Sequence, residues 1–311
     1  GTASCVGLST DARIVPFERT IDINMASASP PQPGDTFLVT GGARGVTANC
    51  VIELARHTGS NFVLLGRSEI KPWPAGLPLE MEEKKLRGTL VAQARKNGTK
   101  VTPADVNASA KSLLAGQEIR QTLSAIEAAG GEAIYVPTDI GNAKALRAAL
   151  QTAARKFGPI TGLVHGAGVL ADKLIAEKTA DQVARVFSPK VLGLQTILSE
   201  ITPSTLKHIA FFSSVAARYG NAGQSDYAMA NEVLNRAAHM AKAANPKACV
   251  TSIGWGPWDG GMVDDGLRAR FAEMGIELIA RDAGAQTFVN ALMAGAACPV
   301  ELVVGSELPH G

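Results

Sequence analysis

Thr36-Phe37-Leu38-Val39-Thr40-Gly41-Gly42-Ala43-Arg44-Gly45-Val46 is the stretch on which the fold turns. Five residues suited to a buried strand run into glycines, and an amphipathic segment of helical length follows over 46–57. Glycines between a strand and a helix let backbone approach a phosphate, which then rests on the first helical amides and the positive end of the helix dipole. Such glycines also serve as a plain tight turn. The rest of the chain has to decide between the two.

Beyond this stretch, short apolar runs recur at 61–65, 133–137, 160–165, 208–213, 248–253 and 300–304. Segments of helical length lie between them, notably 143–157, 180–200, 225–244 and 282–294. Buried strands alternating with helices predict βαβ units and a parallel sheet covered on both faces. With right-handed crossovers this is an α/β fold, a Rossmann-type doubly wound sheet. Two stretches stand outside the alternation. Residues 1–34 end in Ser-Pro-Pro-Gln-Pro-Gly and read as an extension or linker, although 13–23 can also form an edge strand. Residues 68–116 read as a helical insertion after the second strand. In it, 79–97 is a charged helix closed by Gly98, and Thr102-Pro103 starts another. The run Glu82-Glu83-Lys84-Lys85 reads as a solvated helix face or a docking surface for another domain. Ile119, Leu123 and Ile126 share one face of a helix.

At 311 residues and 46% hydrophobic, the chain can bury a large core. Its 30 basic and 28 acidic residues give no electrostatic reason to expect nucleic acid or a membrane surface. No apolar run is long enough to span a bilayer, and the N-terminus lacks a signal-peptide pattern. Cys5, Cys50, Cys249 and Cys298 form no metal-ligand cluster and read as reduced thiols of a cytoplasmic protein. The chain opens on Gly1 rather than Met, as a piece cut from a longer protein would.

The second strand ends Gly66-Arg67-Ser68, where an acidic residue would grip a ribose 2′-hydroxyl. Arginine there suits a 2′-phosphate by charge and fork geometry, with Arg44 in support, so NADPH is expected over NADH. Arg67 also reads as an ordinary surface arginine. Asp139, after the third strand, either accepts from an adenine amino group or caps the helix from 143. Further on, Ser214 precedes Tyr227 by thirteen residues, Asn231 follows it by four, and Lys190 precedes it by thirty-seven. Hydride arriving at a carbonyl carbon leaves negative charge on oxygen, which needs a proton and pre-aimed donors. A free phenol titrates near pH ~10 and needs a neighbouring cation to act as an acid at neutrality. Tyr227 is the candidate acid, Lys190 the cation, Ser214 the donor to the carbonyl oxygen, and Asn231 the group that positions the lysine or a relay water. Each residue taken singly has an ordinary structural reading.

Gly41, Gly42, Gly45 and Val46, with Gly66-Arg67, Asp139-Ile140, His165-Gly166-Ala167-Gly168, Ser214, Tyr227 and Asn231, resemble the short-chain dehydrogenase/reductase superfamily. They most resemble the ketoreductase domains of type I polyketide synthases. Most free-standing members carry lysine where Asn231 stands; here the lysine is in Ser188-Pro189-Lys190, an exchange typical of the synthase domains. The resemblance covers 35–306, with a lid over about 256–280 and a tail at 307–311. Arg44 and Thr47 stand where the common synthase turn has glycines, and the long insertion resembles the reductases of polyunsaturated fatty acid synthases. It implies an NADPH-dependent reductase of a β-ketoacyl thioester borne on an acyl carrier protein, working beside neighbouring synthase domains. Leu170-Ala171-Asp172 is similar to a signature of the 3R class, while Tyr219 fits neither class pattern; Gln224, Trp255 and Met262 complete the implied substrate region. Leu267, Phe271, Met274 and Ile276 either cover an acyl chain or pack the lid itself. An idle cofactor-binding scaffold and a free-standing alcohol dehydrogenase are the rival readings. Oligomeric state is open.

Overall fold

The computed structural model describes residues 29–305 apart from 80, 262 and 264, together with two N-terminal strands. Those strands, β1 (Thr2–Leu8) and β2 (Ile14–Thr20), pair antiparallel as a separate two-stranded ribbon inside the stretch read as linker. They do not extend the main sheet, so the edge-strand alternative is not realised.

The main sheet has seven parallel strands: β3 (Thr36–Thr40), β4 (Asn61–Gly66), β5 (Glu132–Pro137), β6 (Gly162–His165), β7 (His208–Ser214), β8 (Cys249–Trp255) and β9 (Glu301–Val304). Their order is β5-β4-β3-β6-β7-β8-β9. The order reverses between β3 and β6, and at such a switch point loops diverge and leave a crevice at the carboxyl ends of the strands. The helices are α1 (Gly45–Thr58), α2 (Glu83–Lys96), α3 (Pro103–Ala128), α4 (Ala143–Phe157), α5 (Ala180–Phe187), α6 (Gly193–Glu200), α7 (Ala216–Tyr219), α8 (Ser225–Ala244), α9 (Asp265–Glu273) and α10 (Arg281–Met293). Strand side chains alternate between two cores. Phe37, Val39, Phe62 and Leu64 meet α1, α3 and α10 on one face; Leu38, Val63, Leu65 and Phe211 meet α4, α6 and α8 on the other. Both faces of the central strands are therefore buried, each large side chain contributing about 1.5–3 kcal/mol.

Two differences from the sequence reading matter for the site. The stretch 180–200, expected as one helix, is broken into α5 and α6 by a π turn at Ser188–Leu192. Pro189 has no amide to donate, and the Gly193 amide reaches back to the Ser188 carbonyl, five residues away. The second helix of the insertion is not separate from the helix that carries Ile119 and Ile126. Both belong to α3, a single helix of 26 residues capped by a reciprocal Thr102–Asp105 box. Because α3 leads into β5, its first half projects past the carboxyl ends of the strands. There α2 packs on it through Leu86, Ala110 and Leu113. Leu86 is the one buried residue of α2, and Glu82 and Lys85 are exposed, as a solvated face requires.

Candidate active site

Ser214 closes β7, paired in register with Trp255 of β8. The first turns of α8 carry Tyr227 and Asn231, and the π turn carries Lys190. The wide turn shifts the helical phase so that Lys190 points inward. It is 3% exposed, its Nζ donates to the Phe212 carbonyl at 2.8 Å, and it lies 5.5 Å from the centre of the Tyr227 ring. Burial pulls its pKa down to about 7. Burial also pushes the Tyr227 phenol up, against the opposing pull of the nearby Asn231 and Ser214 side chains. The Lys190 Nζ is held on the Phe212 carbonyl and over the face of the Tyr227 ring.

Asn231 donates to the Tyr227 carbonyl one turn back at 2.8 Å, and its buried Oδ1 has no protein partner among the described residues. No hydrogen bond joins it to Lys190 among those residues. Groups from β3 and β6 hold the main chain of Lys190. His165 Nε2 pairs with the Lys190 carbonyl at 2.9 Å, and His165 Nδ1 with Thr40 Oγ1 at 2.8 Å. The Thr40 hydroxyl also accepts from the Ala167 amide. Burial, with Lys190 beside it, drives the His165 pKa down to about 4. A neutral ring can donate through Nε2 to the Lys190 carbonyl while Nδ1 accepts from Thr40. Sequence reasoning gave Thr40 and His165 no role. Their being paired in register at the ends of adjacent strands was the available signal.

The cofactor end fits a dinucleotide. Gly41 has φ +70°, and a Cβ there would sit 2.9 Å from the Gly166 carbonyl oxygen; one on Gly166 would meet Thr47 Oγ1 at 2.6 Å. Backbone passes this close only without side chains. A Cβ on Gly168 would meet Lys190 Cε at 2.9 Å, which ties the same loop to the lysine. Helix α1 starts at Gly45 and Val46 with no acidic residue in its first turn, leaving its positive end for an anion. Gly42 packs on Val39. Arg67 is exposed at the end of β4, and Ser68 accepts the Tyr135 hydroxyl through its carbonyl. Asp139 is exposed and accepts the Gly141 amide; the cap of α4 is Asn142, so the capping reading of Asp139 fails. Ile140 is buried over α6, its side chain against Gly193.

Among the residues read as the substrate region, Asp172 accepts from Gln224 at 2.8 Å. Tyr219 is exposed at the end of α7. Trp255 is not available to a substrate: it is 6% exposed and packs on Phe212 and Trp258 in the core. Met262 lies outside the described residues. Between these residues and α8 is a pair that sequence reasoning missed. Lys178 Nζ, buried, meets Asp226 Oδ1 at 2.7 Å and the Ala171 carbonyl at 2.9 Å. It ties the loop bearing Asp172 to the residue before Tyr227. In the stretch read as a lid, Trp258 bridges to Ile279, Ile276 is buried, and Leu267 and Met274 are exposed.

The fold is the Rossmann-type sheet seen in short-chain dehydrogenases/reductases. The KR domain family matches residues 35–260, and the chain belongs to it. It is 39% identical over 280 residues to a polyunsaturated fatty acid synthase polypeptide of Thraustochytrium, covering 88% of this chain and 10% of that protein. It is 27% identical over 280 residues to polyketide synthase PksL of Bacillus subtilis, covering 88% and 5%. The chain thus spans a tenth or less of the length of these curated relatives. Among solved structures it resembles a ketoreductase domain from the bacillaene assembly line, with TM-score 0.69, 24% identity and coverage of 98% of this chain and 63% of that one. An A1-type ketoreductase aligns with TM-score 0.70 at 18% identity, covering 96% and 53%. KR domains of this fold use a nicotinamide cofactor. No helix among the described residues is long and apolar enough to cross a membrane, and no metal-ligand cluster occurs among them.

Proposed function

We propose that this domain reduces a β-ketoacyl thioester, carried on an acyl carrier protein, to the β-hydroxyacyl thioester with NADPH. The observation that carries the reading is the meeting of Lys190, Ser214, Tyr227 and Asn231 beside the switch-point crevice, on three different elements. When bound, the reduced nicotinamide supplies the hydride; Gly41, Gly45, Val46, Gly166 and Gly168 would line its path, and Arg67 and Arg44 favour the 2′-phosphate of NADPH over NADH.

Ser214 Oγ donates to the ketone oxygen, and Tyr227 Oη delivers the proton that the oxygen takes up. Burial raises the Tyr227 phenol, so it holds its proton at neutrality and releases it only with a cation beside the phenolate. Lys190, able to carry charge near neutral pH, stabilises the phenolate left behind, and the free Oδ1 of Asn231 can hold a relay water. The likeness of Leu170-Ala171-Asp172 to the signature of the 3R class supports the 3R product. The family's relatives in multi-domain synthases support neighbouring synthase domains and a carrier protein as partners.

The test follows NADPH absorbance as the chain meets a short β-ketoacyl N-acetylcysteamine thioester, with NADH as control. NADPH oxidation by the wild type, lost in Tyr227→Phe, is the expected outcome. Cofactor binding without oxidation of any thioester would sink the reading in favour of an idle scaffold.

A further inference from the structure

The N-terminus of α1 is not bare. Glu118, from the second half of α3, accepts from the Gly45 amide at 3.0 Å and from Arg44 Nε at 2.7 Å. Arg44, as N-cap, gives α1 no side-chain cap, and the helix has no acidic residue of its own there. One carboxylate from 73 residues away therefore occupies both the first helical amide and the arginine, the two donors that a cofactor phosphate would use. The ion pair is half exposed, 48% on Arg44 and 43% on Glu118, so water and salt weaken it and exchange is easy. Glu118 also lines a cavity of about 500 Å³ with Met81, Glu82, Leu114, Gln117 and Gln121, which leaves room for its side chain to swing aside.

We propose that Glu118 is an internal competitor for the cofactor phosphates: it holds Arg44 and the Gly45 amide until NADPH displaces it, and it thereby sets cofactor affinity. The proposal rests on the NADPH-dependent reading above and gives α3, the helix into which the insertion runs, a part in it, since α3 carries the competing carboxylate. A merely structural carboxylate would do the opposite. As a cap on α1, its loss would loosen the helix and leave NADPH binding unchanged or weaker.

The experiment titrates NADPH into the chain and into Glu118→Gln and Glu118→Ala, reading nucleotide fluorescence with no substrate present, alongside the melting temperature of each free chain. The expected result is NADPH binding about two- to fivefold tighter in both variants, the range an exposed ion pair commands, with equal or slightly lower melting temperature. Unchanged or weaker binding in folded variants overturns the proposal. Wild-type chain that binds no NADPH overturns the cofactor reading instead, so the two failures are distinguishable.

Discussion

The two ends of the site are held in opposite ways. At the catalytic end, Lys190 and His165 are buried and fastened to main-chain carbonyls and to one another's neighbours. At the phosphate end, Arg44 and Glu118 meet near the surface through side chains alone. Buried polar groups are costly to unpair, so the first arrangement is fixed before any ligand arrives. An exposed ion pair is worth about 0–1 kcal/mol, so the second can be exchanged. Proton transfer tolerates little misplacement, whereas a phosphate must get in and out.

The largest effect should come from the fixed end. Tyr227→Phe is expected to lower turnover by about 10²–10⁴-fold while NADPH affinity and melting temperature stay near wild type. A parallel loss of affinity would mean that the hydroxyl holds the cofactor rather than the proton. Lys190→Met tests how firmly burial acts. The lysine pKa falls from 10.5 to about 7 on folding. Below pH 7 both states are protonated and the penalty is fully present. Between about 7 and 10.5 only the unfolded chain keeps the proton, so this group makes stability rise with pH by at most about 1.4 kcal/mol per unit. Urea unfolding at pH 7 and 9.5 should show that rise in wild type and a smaller one in Lys190→Met; parallel profiles would place the lysine in water.

Acid should act on the same buried network. His165, at the end of β6, and His208, at the start of β7, both drop from 6.5 to about 4, chiefly by burial. Between pH 6.5 and 4 the unfolded chain binds protons that the folded chain refuses, so stability falls as pH falls through that window. Proton uptake on unfolding at pH 5, measured from the pH slope of stability, should approach two from these histidines and drop by about one in His165→Gln. The smallest effect belongs to the insertion. Thr102→Ala removes the cap of α3 and should cost about 1 kcal/mol in denaturant unfolding. A loss of NADPH affinity beyond that change would tie the overhang more tightly to the cofactor.

The sheet was legible because buried parallel strands are written as continuous apolar runs, and each run found its strand to within a residue or two. The break in 180–200 was not, although Pro189 is in plain sight. A proline inside a periodic segment does not say whether the helix kinks, stops or widens. Trp255 was misplaced because a run at a strand's end gives no sign of which face the last residue takes. Thr40, His165, Lys178 and Glu118 were assigned no role because their partners lie 125, 25, 48 and 73 residues away: Thr40 with His165, His165 with Lys190, Lys178 with Asp226, Glu118 with Gly45.

The α/β class, the glycine cradle and the residue types of the site were thus set by the order of residues alone, since they depend on local spacing and backbone freedom. Which of those groups touch was settled by the packed fold. It turned Lys190 inward onto Phe212, buried Trp255 in the core, and laid a carboxylate of α3 across the start of α1. Contacts of that kind depend on how distant elements pack, and packing is a property of the whole chain rather than of any segment.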